Sequence, residues 1–163
     1  MMSIPWEIVS IFLLRLGLVA LFVPFSVYYM VVDFRGAAQH AASAGVSRRV
    51  AQWMILAAIL LKLVATLGVL TGVADRLSFL LLATFCVGTA LIYKQFWIGD
   101  GLAFTAENAN LPQLWDFLKN ISLAAAFILI GFGSDAESFR QGLEEFLRSP
   151  LASSRPYDGG ILR

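Results

Sequence analysis

Residues 51–97, AQWMILAAILLKLVATLGVLTGVADRLSFLLLATFCVGTALIYKQFW, hold two apolar runs that meet at a short polar turn, residues 72–76. Each run is about 20 residues, the length at which an α-helix crosses a hydrocarbon core of about 30 Å. Backbone polar groups in lipid must be satisfied within the segment, so such a pair reads as a transmembrane helical hairpin. Lys62 falls near the middle of the first run, about 16 Å from either end, too deep for a lysine to snorkel out. Something inside the protein must answer that charge.

Composition agrees with a membrane protein. Of 163 residues, 59% are hydrophobic and 14% charged, against about 45–50% and about 25% in a soluble domain. A net charge of +1 gives no electrostatic case for nucleic acid. The single cysteine, Cys86, excludes an intramolecular disulfide and reads as a small packing residue. The length suits one compact bundle. The opening residues carry no Lys or Arg before Arg15 but contain Glu7, and the apolar run from 8 to 32 has no small-residue cleavage pattern, so it is expected to be a retained helix.

In chain order, the expected helices are 6–32 with a kink at Pro24, 50–73, 77–97 and 114–132. A short helix is expected in the first connection, stopped near Gly45. Ser134 is the expected N-cap of an amphipathic C-terminal helix, with Glu137 three residues on in a capping-box spacing. Phe139, Leu143, Phe146 and Leu147 give that helix an interfacial or partner-binding side. From Pro150 the chain reads as a flexible polar tail. The fold class is therefore all-α: a four-transmembrane-helix bundle, residues 1–133, followed by an amphipathic helix and tail, residues 134–163. Both termini then lie on the same side. Basic residues divide almost evenly between the two sides and set no orientation.

Ala58, Lys62, Ala65, Thr66 and Val69 share a face of the second span, which turns Lys62 toward protein. Its partner could be an acid, a hydrated cavity, or nothing if the amine is neutral. Arg15, two turns into the first helix, is expected to snorkel toward headgroups at the mouth. The polar segment after the third span holds Asp100, Glu107 and Asp116, and could fold over the mouth to lend a carboxylate to Arg15 or Lys62. A quinone needs an apolar slot with a few polar groups, which Lys62, Tyr93 and Trp97 could supply with Arg15 at the mouth. His40, the only histidine, reads as interfacial. No Cys, His or carboxylate spacing suggests a haem, zinc or di-iron site, so no catalytic or metal-binding residue is expected.

Three stretches together resemble the DoxX/DoxD family of small four-helix membrane proteins. LLRLGLVALFV, residues 13–23, is similar to the family's opening helix with its early arginine. Residues 33–85 follow the family's order of short connecting helix, glycine turn, apolar helix and a turn leading through an arginine into the third helix. FLKNISLAAAFILIGFG, residues 117–133, is similar to its final helix. Two positions depart from the resemblance. Family members often carry a His-Gly pair late in the first helix, where this chain has residues 26–29 (SVYY). They often carry a glutamate near the middle of the second, where Lys62 stands.

The resemblance implies a link to membrane oxidoreductase assemblies, including quinone-reducing thiosulfate oxidation, and to oxidative-stress complexes. The expected role is an accessory integral-membrane subunit of a larger redox or energy-transducing complex, in a bacterial inner membrane. Its expected partners are other membrane subunits and the bilayer, with quinone or lipid as candidate ligands and no cofactor of its own. The alternatives are a quinone-interacting oxidoreductase subunit with its own site, and a small transporter or channel.

Overall fold

The computed structural model describes residues 6–43, 45–97 and 110–157. Among them the chain is all-helical: α1 (Trp6–Val19), a π-helix (Phe22–Val27), α2 (Tyr28–Val32), α3 (Phe34–Ala42), α4 (Arg48–Thr71), α5 (Asp75–Tyr93), α6 (Asn110–Phe132) and α7 (Ala136–Arg148). Three of these helices, α4, α5 and α6, are long and apolar enough to cross a membrane. The expected first span is divided instead. Pro24 has no N–H to donate, and the helix widens around it into a π segment, with Ser26 N–H bonding the Leu21 carbonyl at 3.2 Å. Ser26 follows Arg15, Val19 and Phe22 at spacings of four, three and four, and its hydroxyl meets Lys62.

The hairpin forms as its sequence demands. Gly72 ends α4 with φ 78°, a left-handed conformation that favours glycine. Three residues later α5 begins at Asp75, which is its first residue. α5 is the central element, packed on α6 and α4. Phe79, Leu82, Ala83 and Cys86 of α5 meet Ala65 and Val69 of α4, Ala124 and Phe127 of α6, and Val19 and Phe22 from the N-terminal segment. Small residues set the approach of α6: a Cβ on Gly131 would lie 2.9 Å from Phe79 Cβ. A second, smaller core is formed where α3 lies on α4, with Ala37, Ala38 and Ala41 against Ala51 and Ile55. Asp33 caps α3 by accepting Gly36 N–H at 3.0 Å.

The C-terminal part differs from expectation in two respects. The N-cap of α7 is Asp135 rather than Ser134. Its carboxylate accepts the Glu137 and Ser138 N–H groups, and Ser138 rather than Glu137 completes the capping box. Arg76 at the start of α5 holds Glu145 of α7 at 2.6 Å, and Phe132 packs on Phe139 and Phe146. The segment expected to be a flexible tail is, up to Tyr157, seated on the end of the hairpin.

Two outcomes follow from this packing. Gly131→Val overfills the α5–α6 contact and is expected to destabilise the bundle by about 1–3 kcal/mol, read as a lowered midpoint of thermal unfolding in detergent. The hydrogen bonds from Ser138 and the first-turn amides hold the Asp135 carboxyl below the usual carboxylate range. A depressed folded-state pKa gives a cap that is complete above about pH 3.9 and is lost as pH falls through the lowered value. Protection factors for hydrogen exchange across 136–139, which correct for the intrinsic pH dependence of exchange, are expected to fall in that acid range and to hold steady between pH 5 and 8.

Candidate functional site

Arg15 is buried, 5% exposed, and does not snorkel. Its side chain reaches across the hairpin turn. One guanidinium nitrogen donates to the Val69 carbonyl at 2.8 Å, and the other donates to Asp75 Oδ2 at 2.8 Å. Asp75 is fully buried. Ser154 closes the pair: its N–H donates to Asp75 Oδ1 at 2.9 Å, and its hydroxyl donates to Oδ2 while lying 3.3 Å from Arg15. Phe79 and Tyr157 flank the guanidinium, with ring centroids at 5.2 and 5.9 Å. Tyr157 donates its hydroxyl hydrogen to the Leu70 carbonyl. Four separate stretches of chain therefore converge on one charge pair, and in a water-poor setting each added hydrogen bond offsets part of the desolvation cost.

Lys62 is 2% exposed, as its helical face predicts. Its Nζ donates to Ser26 Oγ at 2.5 Å, lies 3.6 Å from Met30 Sδ, and sits 4.4 Å from the centre of the Phe85 ring. Among the described residues no carboxylate contacts it. The charge is answered by a hydroxyl, a thioether and an aromatic face, which are weaker acceptors than an acid. One turn along α4, the buried Thr66 hydroxyl has no hydrogen-bond partner among the described residues.

Met30 and Phe85, the two apolar contacts of Lys62, also form part of the wall of an apolar cavity of about 530 Å³ under α3. Ala37 and Ala41 of α3, Met54, Ile55 and Ala58 of α4, and Gly88 and Ile92 of α5 line it. Its polar groups are His40, Thr89, Tyr93 and Lys94. Tyr93 donates to the Ala41 carbonyl at 3.4 Å and stacks on His40 at 5.2 Å. Lys94 is paired with Asp116, which Lys119 also holds.

The structure thus separates the sequence-derived candidates. Tyr93 lines the cavity, and Lys62 lies behind its wall. Arg15 belongs to the other end of the bundle, two helical turns or about 10 Å along α4 from Lys62. Trp97 packs edge-on against Phe96 and Phe117, away from both. Asp100 and Glu107 lie outside the described residues; the carboxylate that answers Arg15 is Asp75. Sequence reasoning missed Asp75, Ser154 and Tyr157, and the available signal was an acid beside Arg76 in a turn otherwise made of small residues. Among the described residues no group of three or more His, Cys, Asp or Glu side chains is placed to hold a metal ion.

Removing one member of the ion pair strands the other. Asp75→Ala is expected to destabilise the protein by about 3–5 kcal/mol, whereas replacing both partners with leucine is expected to cost much less than the two single losses combined. Unfolding of the single and double variants in bicelles measures this.

No curated protein and no solved structure matches the chain. The family model described as DoxX matches residues 10–95, a stretch that contains Arg15, Ser26, Lys62, Asp75 and every wall of the apolar cavity named above. On that match, and on the helical hairpin it covers, the chain belongs to the DoxX family.

Proposed function

We propose that this protein is an accessory integral-membrane subunit of a larger membrane redox or energy-transducing complex, and that the cavity under α3 takes the complex's lipid-soluble component, a quinone or a lipid. In this reading the broken helix of residues 6–32 is a fourth span, the membrane is a bacterial inner membrane, and electron transfer belongs to partner subunits. The observation that carries it is the cavity itself. Its volume of about 530 Å³ lies within the range of small-molecule sites, about 300–1,000 Å³, and its few polar groups gather toward the end of α5. Apolar walls suit a ring or chain, while Tyr93, His40 and Thr89 suit the polar head.

A second reading gives the chain its own quinone-linked site. It is supported by the contact of Lys62 with two wall residues, Met30 and Phe85. Methionine is unbranched and adaptable, so a different Met30 rotamer would turn the ammonium toward a carbonyl in the cavity.

Ala58→Phe fills the cavity from α4. The protein purified from its native membrane is expected to lose co-purifying quinone or lipid at least tenfold, measured by mass spectrometry, with helix content unchanged. Retention of both at wild-type levels would remove the cavity from the proposal. Lys62→Met separates the two readings: quinone-linked activity of the intact complex survives if the subunit is accessory and falls at least tenfold if Lys62 serves a site of its own.

A further inference from the structure

We propose that residues 153–157 are a lid, and that what they close off is a buried polar line running from Asp75 to Lys62. The lid is held by polar anchors. Ser154 binds both carboxylate oxygens of Asp75, and Tyr157 binds the Leu70 carbonyl. Pro156 sits over Gly72, where an added Cβ would lie 2.8 Å from the proline ring. Between the two anchors Arg155 takes φ 53°, a left-handed conformation rare for a side-chain-bearing residue. Such a conformation persists where contacts on both sides impose it. Leu151, just before the lid, is 71% exposed. The segment is thus fastened at its end by hydrogen bonds and little apolar burial, the pattern of a unit that opens locally while the core stays folded.

Behind the lid, polar groups follow one face of α4. Positions 62, 66 and 69 are spaced by four and three and so lie one above another. Positions 62 and 66 present the Lys62 ammonium, bonded to Ser26, and the Thr66 hydroxyl, which has no partner among the described residues; at 69 the main-chain carbonyl accepts from Arg15, which is paired with Asp75. A buried hydroxyl without a partner is a place for water, and the polar groups on either side would supply its other hydrogen bonds. With the lid closed, this line is sealed at the Asp75 end by Ser154 and Tyr157. With it open, water reaches Arg15 and Asp75 directly and Thr66 beyond them. The lid therefore controls hydration of the bundle interior up to Lys62, independently of what the cavity under α3 binds.

The test uses the full chain in lipid nanodiscs. Ser154→Val with Tyr157→Phe removes the lid's side-chain anchors, and Tyr157→Phe alone is the milder variant. Thr66→Cys, in a Cys86→Ala background, reports water access through its rate of labelling by a charged, membrane-impermeant thiosulfonate. Labelling is expected to rise at least tenfold in the double variant and at least threefold in the single one. Amide exchange across 66–76 should accelerate in step, with α3 and α6 unchanged. Unchanged labelling and exchange would overturn the proposal. Accelerated exchange throughout α4–α6 would also overturn it, because the segment would then be a staple of the whole fold.

Discussion

A charge withdrawn from water must be answered inside the protein, and at one end of this bundle the answer is Arg15 with Asp75. The pair joins the N-terminal helix to the first turn of α5, 60 residues later, and draws in the last carbonyls of α4 and the hydroxyl of Ser154. Apolar packing between helices in lipid is weakly directional, because lipid tails and leucine side chains are equally apolar. The ion pair supplies what such packing lacks. The observed arrangement of α1, the α4–α5 turn and the C-terminal segment satisfies both charges, so the pair favours it.

The elements were largely legible in the sequence, and their mutual placement much less so. The length and apolarity of α4 and α5, the glycine turn between them and the inward face of Lys62 follow from periodicity and from the cost of polar backbone in lipid. Arg15 was misplaced because its depth in α1 permits snorkelling, and nothing local shows that an acid waits 60 residues away. Asp75 looked like part of a solvated turn. Ser154 and Tyr157 lie in a stretch with the composition of a flexible tail, and no sequence pattern reveals that their hydroxyls meet a buried carboxylate and a helix-end carbonyl. The partner of Lys62 was hidden for another reason. Ser26 lies in the π segment around Pro24, and a serine hydroxyl is not the kind of group that a search for an answering acid picks out.

The two positions at which this chain departs from the family resemblance prove to be neighbours. Ser26 stands in the stretch where a His-Gly pair is common, Lys62 where a glutamate is common, and the two side chains hydrogen-bond. Both departures therefore meet at one contact, next to the wall of the apolar cavity.

The dependence of Asp75 on Ser154 also bears on how the protein is made. A ribosome delivers Arg15 and Asp75 to the membrane well before it reaches residue 154. Until then the carboxylate lacks two of its hydrogen bonds, and the end of the hairpin stays uncovered. Insertion of the spans and completion of this contact are therefore separate events, the second waiting on residues 153–157. A chain interrupted after α7 would carry the three long apolar helices α4, α5 and α6 and still display an unsealed charge pair.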